Sequence, residues 1–271
     1  MIITSAANER VKAIRKLQER KARQESGLFY IEGLRIVAEA VEQGARIDTL
    51  VTAPELLKSA FGQELVETQR RKGVPVLELS AEVFGRIALK EGPQGLAAVV
   101  AQTWQPLESV RLVPGGPGAS GTWVALDSVA DPGNLGTILR THDAVGGQGV
   151  ILLDQSTDPY DPSAVRGSMG ALFSQRLARC SFEEFAAWKR SQGVVVVGTS
   201  DKARADYHAY RYPEALVLLM GSERQGLQER HLALCDEVVS IPMQGKSDSL
   251  NLAVATAVVL YEILNQRRGK A

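Results

Sequence analysis

Two stretches of this 271-residue chain have no polar face: Val194–Val197 (VVVV) and Leu216–Leu219 (LVLL). A strand that is apolar on both sides of its pleat must be covered on both sides. That demands a parallel sheet between layers of helices rather than a half-exposed antiparallel one. The surrounding rhythm agrees. "TWVALD", a helical segment, "GVILLD", another helix, "GVVVVGTS", "ALVLLMG", "EVVSIPM" and a long final helix follow one another through the second half. Ligands in such sheets sit at the carboxyl ends of the strands, so the polar residues just after these runs matter most.

The first half is different. "LFYIEG", "IDTLVTA", "PVLELS" and "GLAAVVAQ" alternate with helical segments and make a compact α/β module of about a hundred residues. Between the halves lies "QPLESVRLVPGGPGASG", rich in Pro, Gly and Ser and without periodicity, which reads as a linker. At this length two domains are expected, and 45% hydrophobic residues suffice for their cores. The expected division is 1–104, a linker over 105–121, and 122–271.

Net charge is zero, so only local charge can speak for an anionic partner. The first 24 residues hold Arg10, Lys12, Arg15, Lys16, Arg20, Lys21 and Arg23 against Glu9 and Glu19. Over "SAANERVKAIRKLQERKARQESGLF" the pattern predicts a helix with Val11, Ile14 and Leu17 on one face. The charged remainder is either a solvated face or a surface that tracks phosphates. Cys180 and Cys235 are far apart, and with only three histidines nothing has metal-site spacing. They read as ordinary thiols in a reducing cytoplasm. The N-terminus lacks a signal-peptide core, and Leu252–Leu260 is too short to span a bilayer, so a soluble cytoplasmic protein is expected.

Three segments carry candidate chemistry. In "LDSVADPGNLGTILRTHDAVGG" a strand ends at Asp127 and a DPGN turn presents Asn134 as a helix begins, with Arg140 nearly two turns further on. In "ALVLLMGSERQGL" a buried strand runs into Gly221, whose missing side chain admits close approach of a ligand, and then Glu223. In "IPMQGKSDSLNLAVATAVVLYEIL" a polar loop enters an apolar helix. Ser247, Asp248 and Ser249 are all suitable caps. Asn251 appears one turn into a helix apolar almost all round, hence buried, where an amide must be hydrogen-bonded. A helix start also offers free N–H groups and positive potential. "GGQG" near residue 148 follows a helix and precedes a strand, the reverse of a dinucleotide fingerprint.

In this order and near the C-terminus, the three segments resemble the SpoU (TrmH-type) family of RNA ribose methyltransferases, in the SPOUT superfamily, over roughly residues 122–264. The part containing "GLFYIEGLRIVAEA" is similar to the L30e-like substrate-binding domain common in that family. The resemblance implies an α/β chain in which a small L30e-like domain precedes a parallel-sheet SPOUT domain with a C-terminal trefoil knot. It implies S-adenosylmethionine as methyl donor, held by Thr199, Gly221, Ile241 and Leu250 largely through backbone groups. It carries the functional roles onto Asn134, Arg140, Glu223, Ser249 and Asn251, and implies a homodimer through the C-terminal domain, with Arg140 placed to serve either subunit's substrate. RNA binding is expected at the basic N-terminal helix, Arg35, Arg140 and Arg166. Two departures stand out: Ser222 where the family commonly has Asn, and His142 where it has a small residue. The implied reaction is methylation of a ribose 2'-hydroxyl, in 23S ribosomal RNA ahead of transfer RNA. A base-directed SPOUT methyltransferase and a non-catalytic RNA-binding scaffold are the competing readings.

Overall fold

The computed structural model describes residues 2–113 and 121–268. The chain divides into two compact units, Met1–Gln102 with Tyr160–Phe173, and Thr103–Pro159 with Ser174–Ala271. Among the described residues no helix is long and apolar enough to cross a membrane.

The first unit runs α1 (Glu9–Lys16), α2 (Arg20–Ser26), β1 (Leu28–Glu32), α3 (Leu34–Glu42), β2 (Ile47–Thr52), α4 (Ala60–Arg71), β3 (Val76–Glu78), α5 (Ala81–Ile87) and β4 (Leu96–Ala101). Its sheet has the order β1-β4-β2-β3, with β4 antiparallel to both neighbours and β2 parallel to β3. Val11, Ile14 and Leu17 pack with Tyr30, Leu79 and Phe84 in its core. The expected single N-terminal helix is two. Asn8 caps α1 through the Arg10 N–H (2.9 Å), and the helix ends at Leu17, which has to turn into the core.

Arg23 corrects the reading of the charge run. It is 1% exposed and donates to the carbonyls of Leu17 (3.0 Å) and Gln18 (2.8 Å) and to Asp161 Oδ2 (3.2 Å). A buried guanidinium needs partners on every side, and this one joins the α1–α2 break to the 160–173 segment rather than facing solvent.

The second unit begins before its sheet: Leu107 and Val110, inside the stretch read as linker, are buried in its core. Residues 114–120 of that stretch lie outside the described residues. Then come β5 (Gly121–Asp127), α6 (Pro132–Ala144) and β6 (Gly149–Leu153). The chain next contributes α7 (Pro162–Ser168) to the first unit. It continues with β7 (Arg176–Cys180), α8 (Phe182–Gln192), β8 (Val196–Thr199), β9 (Ala205–Asp206), β10 (Ala215–Met220), α9 (Glu229–Leu232), β11 (Glu237–Ser240) and α10 (Leu252–Arg268). The seven strands are all parallel, in the order β7-β6-β5-β10-β8-β11-β9. The two apolar runs that demanded this sheet fall on β8 and β10, side by side near its centre. Strand β7 was not legible as one, because at the sheet's edge it keeps Arg176 and Arg179 exposed.

His142, one of the two departures, is fully buried on α6. Its ring nitrogens meet Gln175 Oε1 (2.8 Å) and the Thr122 carbonyl (3.2 Å), and a β-carbon on Gly147 would strike the ring. Burial drives its pKa down to about 4, against the upward pull of those two hydrogen bonds and of Asp143. It is a neutral core group. The folded value lies below the ordinary 6.5. Stability is therefore unaffected above that pH, and falls by roughly 1.4 kcal/mol per pH unit below it, as the unfolded chain takes up a proton the folded chain refuses. His142→Gln should flatten the thermal-denaturation profile between pH 6.5 and 4. An unchanged slope would show that His142 stays protonated in the fold.

Candidate active site

Three adjacent strands end together. The segments leaving β8, β10 and β11, with the approach to α10, line a cleft of about 610 Å³. Thr199 to Lys202 come from the end of β8, and Met220 to Leu227 from β10. Ile241 and Met243 come from β11, and Asp248, Ser249, Leu250 and Leu252 from the entry to α10. All four residues expected to hold the methyl donor, Thr199, Gly221, Ile241 and Leu250, are among them, as are Glu223 and Ser249. The size lies within the roughly 300–1,000 Å³ of small-molecule sites. Four carboxylates (Asp201, Glu223, Glu229 and Asp248) outnumber the two cations Lys202 and Arg224, beside apolar Leu227, Val239 and Ile241. That lining suits a ligand with an apolar ring and a cationic centre.

The glycine ending β10 has a more local cause than ligand approach. The loop doubles back, with the Gly226 N–H donating to the Ser222 carbonyl (2.9 Å) and Gly226 at φ +61°. A β-carbon at Gly221 would collide with the Gly226 carbonyl and the Leu227 N–H. Behind this loop, the Gln228 N–H donates to Nδ1 of the buried His231 on α9 (3.1 Å). The proton therefore sits on Nε2, 3.4 Å from Asp127 Oδ1 at the end of β5.

Asn134, Glu223 and Asn251, distant in sequence, meet. The Glu223 carboxylate accepts from the backbone N–H groups of Ala130 (3.0 Å) and Asp131 (3.1 Å) and from Asn134 Nδ2 (3.1 Å). Asn134 Oδ1 in turn accepts from Asn251 Nδ2 (2.9 Å). Asn251 Oδ1 accepts from the N–H groups of Ala253 and Val254. Partial burial pushes the Glu223 carboxyl up, but the hydrogen bonds from Ala130, Asn134 and Asp131 outweigh it and hold the group below the usual carboxylate range. One anion thus ties the β10 loop to the start of α6, and through Asn134 to the start of α10.

This corrects the reading of Asn251. It is not one turn inside a buried helix; it is the capping residue itself, exposed, with α10 beginning at Leu252. The helix is not apolar-buried all round either, since Val254 and Tyr261 are 49% and 48% exposed. Ser249 donates to Asp248 Oδ1 (3.2 Å) and leaves the capping to Asn251.

Arg140 joins none of these contacts. It is exposed on α6 and has no hydrogen-bond or ion-pair partner among the described residues, whereas Asn134 on the same helix is buried. Arg35 and Arg166 are exposed in the first unit, Arg166 on α7. Arg224 and Lys202 line the cleft and were not singled out from the sequence. Arg224's place directly after Glu223 was the available signal.

Residues 121–261 match the SpoU rRNA methylase family, and residues 8–98 match the MRM3-like substrate binding domain. A 23S rRNA (uridine(2479)-2'-O)-methyltransferase of Streptomyces viridochromogenes is 34% identical, over 93% of this chain and 87% of its own. The 23S rRNA (guanosine(2553)-2'-O)-methyltransferase RlmP of Bacillus subtilis is 30% identical, over 96% of this chain and 98% of its own. The crystal structure of an AdoMet-bound rRNA methyltransferase from Sinorhizobium meliloti superposes with a TM-score of 0.88 at 38% identity, covering 100% of this chain and 98% of that one.

Proposed function

This chain belongs to the SpoU rRNA methylase family, and from that premise we propose that it methylates a ribose 2'-hydroxyl of 23S ribosomal RNA. The observation that carries the reading is the clasp Asn134–Glu223–Asn251 at a cleft whose lining includes every residue expected to hold S-adenosylmethionine.

When bound, S-adenosylmethionine supplies a methyl group on a sulfonium, already activated for transfer. The protein's own task is to hold a poor nucleophile in line and to stabilise the charge that develops on it as its proton passes to solvent. Alignment is worth roughly 7–11 kcal/mol in favourable cases. Glu223, Asn134 and Asn251 act as positioning residues: they fix the loop after β10 and two helix starts, so the cleft keeps its shape. Thr199, Gly221, Ile241 and Leu250 hold the donor. Ser249, which lines the cleft, is assigned to the ribose. Arg140 binds the neighbouring phosphate and stabilises the alkoxide as it develops. A guanidinium holds its proton too firmly to serve as the base.

Substrate RNA is held by Arg35, Arg166 and the exposed basic residues of α1 and α2, excluding the buried Arg23. The protein works in the cytoplasm as a homodimer through its C-terminal unit. Val254 and Tyr261, seven positions apart on one face of α10, support the dimer, since large apolar side chains left open on a helix face mark an interface. The trefoil knot belongs to the same proposal and is supported by the sheet order, in which β8 is flanked by the two later strands β10 and β11.

The test is transfer of isotope from labelled S-adenosylmethionine to purified ribosomal and transfer RNA, followed by digestion to nucleosides and mass analysis. Label on the sugar of ribosomal RNA is expected. Label on a base would establish the base-directed reading, label confined to transfer RNA would replace the substrate, and failure to bind the donor would leave only the scaffold.

A further inference from the structure

The donor cleft takes three of its lining residues, Leu227, Glu229 and Leu232, from the end of the β10 loop and from α9. α9 has only four residues, and a helix of about one turn does not hold itself in water. Its position has to come from what it packs against. On one side Arg230 pairs with Asp154, just after β6 (3.0 Å), and lies over the Phe182 ring (4.7 Å). The inner side belongs to His231, which is fully buried and stands nearly perpendicular to the same ring, with centroids 4.6 Å apart.

No step of methyl transfer uses this imidazole, yet both of its nitrogens are directed. Nδ1 accepts from the Gln228 N–H (3.1 Å) and so fixes the backbone directly after Leu227. Nε2 then carries the proton and faces Asp127 Oδ1 at 3.4 Å. That is a charge–dipole attraction longer than a full hydrogen bond, and Nε2 has no hydrogen-bond partner among the described residues. Asp127 is 4% exposed, and a buried carboxylate is costly unless something answers its charge. Among the described residues its side chain meets only His231 and, at 3.5 Å, the Ser128 hydroxyl.

Asp127 ends β5, and shortly after it the N–H groups of Ala130 and Asp131 hold Glu223. The segment 127–131 therefore grips the chain after β10 at two points, Glu223 near its start and His231 near its end. Leu227 and Glu229, which line the cleft, are suspended between them. A wall already fixed in this way has little left to order when a ligand arrives. Resting on the S-adenosylmethionine reading of the cleft, we propose that Asp127 and His231 form a positioning pair that sets the affinity for the methyl donor by holding α9 against β5. The role differs from that of Glu223, whose loss slows the transfer itself.

The test reads S-adenosylmethionine affinity by calorimetry and the transfer rate at saturating donor, both on the full-length protein. His231→Phe keeps a ring beside Phe182 and removes both nitrogens. It should weaken donor binding roughly tenfold, the weight of about one hydrogen bond, with the saturated transfer rate within about twofold of wild type. Asp127→Leu should do the same. The double variant should also be about tenfold weaker rather than about a hundredfold, because two partners in one contact do not add. His231→Gln, whose amide N–H extends towards Asp127, should recover most of the affinity. Should the first variants fold poorly, His231→Asn carries the test: it keeps the acceptor for the Gln228 N–H but is too short for Asp127, and should still weaken the donor severalfold. Val11→Ala, a core truncation in the first unit, controls for lost stability and should leave donor affinity unchanged.

Additive losses in the double variant would overturn the proposal, since the two residues would then act separately. Lower melting temperatures with unchanged donor affinity would overturn it in favour of plain core packing, as would an equal loss of affinity in Val11→Ala. A slower transfer at unchanged affinity would place the pair with Glu223 instead. If wild-type protein binds the donor and every variant binds it equally well, only the pair's role fails; if wild-type protein binds no donor, the functional reading beneath it fails.

Discussion

Arg140→Ala is expected to lower methyl transfer by roughly 10²–10³-fold, the loss typical of removing a single charge-stabilising donor, while S-adenosylmethionine affinity stays within about twofold. The basis is position. Arg140 has no partner among the described residues and does not line the donor cleft, so its removal leaves no buried group unpaired there. On the proposed role, what is lost is a cation for substrate phosphate and the developing alkoxide. Calorimetry with the donor and single-turnover kinetics with RNA separate the two effects; a large drop in donor affinity would refute the assignment. Arg140→Lys should recover little, because a point charge does not replace a planar fork. Mixing the Arg140→Ala and Glu223→Ala proteins asks whose substrate the arginine serves. If it reaches across a dimer, about a quarter of full activity returns, from half the dimers with one good site each. If it serves its own subunit, none returns.

Glu223→Ala should also be damaging, for a different reason. It strips the acceptor from two backbone N–H groups and from Asn134 Nδ2, and through Asn134 loosens the cap on α10. Hydrogen bonds to charged groups contribute about 1.5–3 kcal/mol each, so after discounting for the carboxylate's exposure a stability loss of about 1–3 kcal/mol is expected in total. Turnover should fall at least roughly tenfold as the loop after β10 loses its register, since small misplacement is costly. Glu223→Gln should not rescue, because one of its two amide ends would point a donor at a donor. The acid limb provides a readout that a merely destabilised variant would not share. The folded carboxyl lies below the ordinary 4.5. Its contribution is therefore complete above that pH and disappears as pH falls through the folded value. Wild-type protein should show this loss and Glu223→Gln should not. Identical acid profiles would remove Glu223 from its positioning role.

The parallel sheet was legible in Val194–Val197 and Leu216–Leu219 because a strand buried on both faces writes its environment into every residue. That Asn134, Glu223 and Asn251 belong together came from the family resemblance; the residues alone showed only that each sits where an apolar element begins or ends, where a polar group needs a partner. Asn251's capping role was not, because a run of Leu, Ala and Val does not reveal which face is covered. Val254 and Tyr261 look identical to core residues in sequence and stand in solvent in the structure. Arg23 was hidden by its company: among seven basic residues, the one that is buried has its carboxylate partner, Asp161, 138 residues later. Strand β7 was obscured by the two arginines that an edge position tolerates.

The allegiance of the 160–173 segment reaches furthest. It is encoded between β6 and β7, yet Tyr160 and Phe173 flank Phe29 at ring-centroid distances of 4.6 Å and 6.3 Å, and Asp161 meets Arg23. A fragment cut at the linker would therefore carry an open aromatic socket and a guanidinium deprived of its carboxylate. The amino-terminal half cannot be excised as a self-sufficient module, nor exchanged between relatives, unless this later stretch travels with it.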